Sequence, residues 1–399
     1  MWWLGLAIHE AGLSLLMVFL PLYVIAIGGS LIDIGIMFAA GQLSTIPASI
    51  LWGYACDKIE RYKVFILISF MSLAIIMYSF TLVSSVKLLV VLYVLMSILH
   101  VAHGPPKNVL IAELYTHEEW RRNFAVYEGF VEIGRLLGLI SGFMISVDRV
   151  DGISIPILCG SLHLAAFAMS VVLVKDPILM MERRLVAIER AVNLAYRGTS
   201  VLSKILNGTS TNHHLRGDGV KAFCCGLALF YLATAILFTP LPVFLSQCLT
   251  LSQGLVFIAY SVNSIGGALG YFHLAQRFNQ PVERVALVKV ALLRSLLAFL
   301  IVFTLQLSTL STIVIMILLA LLGYLYALFN TYTLTLSMEL LPRKRIGLFD
   351  ALVSLGSVCG SFIGPLIAEK AGFTCAFLMS SVTFLISSII FKVFSRGAM

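Results

Sequence analysis

Residues 53–63 read GYACDKIERYK, and five charged side chains (Asp57, Lys58, Glu60, Arg61 and Lys63) crowd a stretch with long apolar runs on both sides. The rest of the chain is poor in charge. Of its 399 residues 60% are hydrophobic and 12% charged, against about 45–50% and about 25% in an ordinary soluble domain. A membrane span needs about 20 mostly apolar residues, and runs of that length recur along the sequence. Twelve helices are expected at 3–27, 32–55, 64–83, 87–111, 123–147, 153–174, 221–246, 253–275, 285–305, 310–334, 347–368 and 373–394. The fold class is all-α and polytopic, and the quoted stretch joins spans two and three.

The net charge of +8 comes from 27 Lys and Arg against 19 Asp and Glu, and its placement decides what it means. Basic residues gather between alternate spans: Lys58, Arg61 and Lys63; Arg121 and Arg122; Arg277, Arg284 and Lys289; Arg343, Lys344 and Arg345. The opposite loops offer little beyond Lys87, Arg149 and Lys370. By the positive-inside rule both termini and the basic loops are expected in the cytoplasm, so the excess charge is topological and no nucleic-acid partner is expected. No basic n-region precedes the first run and no small-residue cleavage pattern follows it, so the first span is expected to be retained. The seven Cys form no CxxC pair and read as packing residues. Asn207-Gly-Thr209 matches a glycosylation acceptor but falls on the cytoplasmic side of this topology.

The longest polar interruption, 175–220, divides the spans six and six. Three units are expected: an N-terminal bundle (1–174), a cytoplasmic linker (175–220) and a C-terminal bundle (221–399). Within the linker Met181, Leu185, Ile188, Val192 and Ala195 share one helical stripe with charges off it, the pattern of a helix lying on the membrane surface. The two bundles echo each other. Leu20-Pro21-Leu22-Tyr23 returns as Leu241-Pro242-Val243-Phe244, and Ala112-Glu113-Leu114 as Met338-Glu339-Leu340. Gly134, Gly138 and Gly142 in span five return as Gly356, Gly360 and Gly364 in span eleven. Glycines four apart let helix backbones approach closely.

With this repeat established, Gly53-x-x-x-Asp57-Lys58-x-x-Arg61-x-Lys63 resembles the loop signature of the major facilitator superfamily, with Glu60 where the family usually has glycine and Tyr62 interrupting the basic run. The resemblance covers essentially the whole chain. It implies two six-helix bundles of inverted three-helix repeats, with solute bound between them near the midplane and released by alternating access. It also implies a cytoplasmic gate in which Asp57 meets the start of span eleven near Arg345 and Arg61 reaches Glu113. In the second half Gln276 replaces the acid, leaving Arg277 with Glu339.

An ionisable group at mid-bilayer costs at least about 2.5–3.5 kcal/mol on insertion scales, so each one asks for a reason. Span one carries His9 and Glu10; span four carries His100, His103 and Lys107 on one face; span five carries Glu128, Glu132 and Arg135 on one face. The resemblance makes spans one and four cavity helices, and the expected site is a proton and substrate site in which Glu10 works with His100 or His103. Glu132 and Arg135 could instead pair simply to fix span five. By ligand type His100, His103 and Glu10 could hold a metal, but nothing else in the sequence points to one, so no metal and no cofactor is assigned. Where the first half has Glu10 and His100 the second has Tyr231 and Tyr326, with Asn263, Tyr324, Asn330 and Tyr332 nearby, a wall suited to stacking and hydrogen-bonding an organic solute. Arg294, deep in span nine, and Glu60 have no role in this reading.

The expected function is secondary active transport of a small organic solute, coupled to protons, in the plasma membrane as a monomer. Its partners are solute, protons and the lipid bilayer. Export is preferred to uptake by analogy with short-looped drug and metabolite exporters, although the arginine such exporters usually carry in the first half of span four is replaced by Tyr93, Val94 and Leu95. The alternative within the class is proton-coupled uptake or exchange of an organic anion or sugar. From another class comes a membrane-embedded enzyme whose His/Glu cluster activates water. No phosphate-cradling glycine loop is present.

Overall fold

The computed structural model describes residues 3–59, 61–107, 110, 120–146, 153–176, 213–277, 284–304, 310–340 and 346–396. Among these described residues twelve helices are long and apolar enough to cross a membrane, and no strand occurs. Their main helices are α1 (Trp3–Ala26), α2 (Leu31–Ile59), α3 (Tyr62–Phe80), α4 (Val86–His100), α5 (Trp120–Ser146), α6 (Ser154–Leu173), α7 (His213–Phe238), α8 (Gln253–Gln276), α9 (Arg284–Phe303), α10 (Ser311–Leu340), α11 (Ile346–Ala371) and α12 (Phe373–Arg396), the fourth span continuing past α4 to Lys107 and the seventh past α7 to Gln247. An even number of spans brings both chain ends to one face of the bundle, called here the terminal face.

Span ten runs on to Leu340 instead of ending at 334, and three further boundaries depart from the sequence reading for a local reason. The quoted stretch is mostly helix: α2 runs through Asp57 and Lys58 to Ile59. Nothing between Tyr54 and Ile59 breaks a helix, and Lys58 in the last turn suits the negative end of the helix dipole. Span four ends early, because Pro105 and Pro106 have no N–H to continue the ladder; the chain tightens into a 3₁₀ turn, Val101–His103, before resuming at Gly104. Span seven starts early, at His213 inside the stretch expected as linker. It then breaks at Thr239-Pro240 and continues as the short helix Leu241–Gln247. The amphipathic segment expected at 181–195 lies outside the described residues.

In the first half α1 packs against α5 and α6, α3 against α6, and α2 against α4; in the second α7 packs against α11 and α12, α9 against α12, and α8 against α10. The two glycine ladders sit at equivalent places in this arrangement. Gly134 and Gly138 abut the backbone carbonyls of Ala7 and Ala11 on α1, while Gly142 faces Leu15. Gly356, Gly360 and Gly364 abut the carbonyls of Ala228, Leu232 and Ile236 on α7. A Cβ at any of these positions but Gly142, whose neighbours are side chains, has no room against backbone, so each ladder fixes how closely two helices can lie.

Hydroxyls lock the outer helices of the second half. From α12, Ser380 and Ser387 donate to the carbonyls of Ala233 and Gly226 on α7, both at 2.8 Å. Ser381 and Ser388 donate to those of Ser295 and Val288 on α9, at 2.9 and 3.0 Å. Each satisfies a buried polar group that lipid could not. Between the halves α5 packs along α8 and α2 along α11. At the face away from the termini the carboxylate of Glu369, near the end of α11, accepts the main-chain N–H of Leu31 opening α2, at 2.9 Å.

Candidate functional site

Proline chemistry in α4 sets up the first part of the site. Because the ladder fails at Pro105 and Pro106, the Gly104 N–H turns back to the Val101 carbonyl. The carbonyl of His100 is left to other donors, and it accepts from His103 Nδ1 at 2.6 Å and from Ser69 Oγ on α3 at 3.0 Å. A donating Nδ1 leaves His103 Nε2 as a bare acceptor.

His9 on α1 lies against this turn, wholly buried. Its Nε2 meets His100 Nδ1 at 3.2 Å and its Nδ1 meets His163 Nδ1 on α6 at 3.1 Å, with its ring stacked on Phe70 at 4.2 Å. A neutral imidazole donates through one nitrogen and accepts at the other, so the protons on His163, His9 and His100 are placed in concert along one chain. One ligand nitrogen each from His9, His100 and His103 lie within 4.8 Å of one another, close enough to converge on an ion; both nitrogens of His9 and the Nδ1 of His100 and of His103 already have partners. His163 was not singled out in the sequence. It is an ionisable residue in the middle of an apolar run, the same signal that picked out the other three, and Gly12 makes room for its ring, with any Cβ there 2.9 Å from Cε1.

The second part is an ion triad. Arg135 on α5 donates through Nε and Nη2 to Glu10 Oε2 at 3.1 and 3.0 Å, and through Nη1 to Glu132 Oε1 at 2.8 Å. The sequence reading set Glu10 beside the α4 histidines; the structure parts the neighbours. Consecutive helical residues point about 100° apart, so His9 faces α4 and α6 while Glu10 faces α5. Glu10 remains within electrostatic reach of His100 and His103. One guanidinium between two carboxylates leaves the triad with a net negative charge. The Arg135 side chain is still 35% exposed against 7% for Glu132, so the triad has one open side. Glu132 also presses on Gly267 of α8, where the two halves meet.

Lys107, in the helical turn that follows the 3₁₀ break, lies over the Tyr127 ring at 5.4 Å. In the second half Tyr231 donates to Asn330 Oδ1 at 3.3 Å, and Asn330 Nδ2 donates to the hydroxyl of Tyr271 at 2.9 Å. Tyr326 stands edge-on to Tyr231 at 6.4 Å. The structure thus brings together Tyr231, Tyr326 and Asn330, and adds Tyr271 from α8, which sequence reasoning missed. Asn263 is spent elsewhere: its Nδ2 donates to the Leu319 carbonyl at 2.8 Å, stapling α8 to α10. Arg294 is wholly buried in the second half.

Of the expected gate, Gly53 has open space beside it, and Lys58, Arg61 and Arg277 are exposed. Lys63 is tied down locally. Its N–H donates to Asp176 Oδ1 at 2.8 Å and its Nζ to the Val171 carbonyl at 2.5 Å. The side chains of Asp57 and Glu339, and residues Glu60, Glu113 and Arg345, lie outside the described ones.

Among the described residues twelve apolar helices fall into two similar sets of six, one carrying a charged wall and the other a tyrosine-bearing one, the architecture of a membrane transporter. Residues 2–348 and 223–397 match the family model of the Major Facilitator Superfamily, and the chain belongs to that superfamily. It is 28% identical over 168 residues to the quinolone resistance protein NorA of Staphylococcus aureus strain Mu50, and 29% identical to that of strain MRSA252. Those matches span 42% of this chain and 42% of the curated relatives' length. Among solved structures, the human organic anion transporter MFSD10 (TETRAN) superposes with a TM-score of 0.67 at 16% identity, covering 98% of this chain and 97% of that one. A bacterial homologue of the human lysosomal transporter Spinster, in an inward-facing and occupied conformation, superposes with a TM-score of 0.66 at 14% identity, covering 99% and 95%.

Proposed function

We propose that this protein exports a small organic solute by alternating access, driven by protons, with its two six-helix halves (1–174 and 221–399) rocking about the α5–α8 and α2–α11 contacts. The observation that carries the reading is the Glu10–Arg135–Glu132 triad, open on one side where the halves meet. While Glu10 is ionised it holds Arg135 by two charge-assisted hydrogen bonds. A proton on Glu10 cancels that attraction, leaving Arg135 to Glu132 and freeing Nε and Nη2 for a solute acceptor. The chain His163–His9–His100 lies close by and supports a route by which a proton reaches or leaves the carboxylate. A group that binds either a proton or, through its partner, a solute is what coupling requires. A proton moved through the membrane field supplies about 2.3 kcal/mol per 100 mV.

The partial likeness to a quinolone resistance protein supports export. The tyrosine and asparagine wall of Tyr231, Tyr271, Tyr326 and Asn330 suits an aromatic or hydrogen-bonding solute. By the positive-inside rule the terminal face is cytoplasmic, in the plasma membrane, and Asp57, Arg61 and Glu113 with Arg345, Arg277 and Glu339 are the groups proposed to shut it. The test is flux in proteoliposomes under an imposed pH gradient, screened over a metabolite and drug library. Flux indifferent to the gradient would remove the proton from the account.

A further inference from the structure

Arg294 sits near the middle of α9, about 15 Å from either helix end at 1.5 Å per residue, with none of its side chain exposed. None of its three guanidinium nitrogens has a hydrogen-bond partner. What surrounds it is aromatic. Its Cζ lies 5.0 Å from the ring centroids of Phe230 and Phe384, 5.5 Å from that of Tyr326 and 6.0 Å from that of Phe238. Rings on α7, α10 and α12 therefore attract the cation by its charge, but none accepts its N–H groups. The guanidinium is a fork of five donors matched to a carboxylate, held where no protein acceptor meets it. Its backbone is not free to withdraw. The next residue, Ser295, donates to Ser381 O at 2.8 Å, and Ser381 returns the bond at 2.9 Å.

An uncompensated buried charge is among the costliest features a fold can carry. Snorkelling, which serves Lys289 nearer the helix end, is denied to a residue so deep. The cage is also one side chain away from the proposed solute path. Tyr326 is partly exposed, stands beside Tyr231, lies against Arg294, and also feels the charge of Arg135 in the other half. We propose that Arg294 is a binding site for the carboxylate of an aromatic organic anion, with the Tyr326 ring as the shutter that turns aside to admit it. The anion then lies with its acid on Arg294, its ring among the cage aromatics, and Arg135 across the interface drawing it between the halves. This assignment deepens the transport reading by naming the chemical class of the solute, and rests on it for the route of entry.

The test is equilibrium binding to the purified full-length protein in lipid nanodiscs, comparing 1-naphthoate with its neutral isostere 1-naphthamide. Wild type is expected to prefer the carboxylate, roughly tenfold or more, the worth of a charge-assisted pair. Arg294→Met fills the cage without charge and is expected to fold, since apolar replacement of a buried charge is often neutral or stabilising; in it the preference should vanish. Arg294→Lys keeps the charge without the fork and should hold a reduced preference. No preference in wild type, an undiminished preference in Arg294→Met, or wild-type affinity for naphthoate in Arg294→Lys would each overturn the assignment. So would chloride displacing naphthoate at equal concentration, because the site would then be one for a small inorganic anion. Binding needs no gradient, so its failure leaves proton-driven flux untouched, and a failure of flux leaves the binding result standing.

Discussion

Arg135 on α5 grips Glu10 on α1 through two donors, at 3.1 and 3.0 Å, while a third holds Glu132 one turn back on its own helix. The guanidinium thus ties α1 to α5 beside the meeting of the halves. Removing it strands two carboxylates in a place poor in water. Arg135→Gln is expected to destabilise the protein by about 1–3 kcal/mol, below the figure for a fully buried pair because the arginine is 35% exposed. Adding Glu10→Gln should restore part of that loss. Unfolding of the single and double variants in detergent measures the coupling, and strict additivity would contradict the arrangement.

The glycine ladders predict equal damage at equivalent places. Gly138 abuts the Ala11 carbonyl and Gly360 the Leu232 carbonyl. A leucine at either is expected to cost about 1–3 kcal/mol or more through overpacking against backbone. Gly53, with open space beside it, is the internal comparison: Gly53→Ala should leave stability unchanged or raise it slightly, as alanine does in a helix interior. Melting temperatures of the three variants decide it.

Glu369 caps the start of the other half's α2 through the Leu31 N–H at 2.9 Å. A carboxylate at a helix N-terminus is favoured by the dipole as well as by the bond. Glu369→Gln should weaken the closure of the face away from the termini. Spin labels at positions 32 and 370 would then show a larger population of long distances, and an unchanged distribution would mean that this contact does not bias the two states.

The fold was legible in the sequence because its signals are periodic and coarse. Apolar run length gave the spans, and the repeat of Gly134, Gly138 and Gly142 at Gly356, Gly360 and Gly364 marked equivalent helices. The site was legible only in part. The rule that an ionisable residue in a span needs a reason picked out His9, Glu10, His100, His103, Glu132 and Arg135, all of which the structure gathers. It offered the Glu132–Arg135 pair that the structure shows, but set Glu10 with the α4 histidines rather than with Arg135, because partner choice between helices depends on their rotation: His9 turned to α4 and α6, and Glu10 to α5. His163 obeyed the same rule and was overlooked. Tyr271 carried no signal, since a tyrosine in a membrane helix is ordinary, and only its contact with Asn330 distinguishes it. The break in α4 was written in Pro105 and Pro106, but that it would free the His100 carbonyl for His103 required the backbone path.

The stretch GYACDKIERYK carries its own test. If Asp57 meets the start of α11 only when the terminal face is shut, a disulfide between cysteines at 57 and 345, in a background lacking the native cysteines, should form in that state and fail when that face is trapped open. Crosslinking at equal rates in both would mean that these charges set topology alone.

The central claim is that protonation of Glu10 releases Arg135 and so couples proton movement to solute movement. It is tested most directly by proton-driven flux in proteoliposomes carrying wild type or Glu10→Gln, with the imposed pH gradient as the sole driving force. The account predicts that the variant, unable to exchange a proton at position 10, loses uphill transport while still equilibrating solute down its own gradient. Uphill flux in Glu10→Gln equal to that of wild type would contradict it.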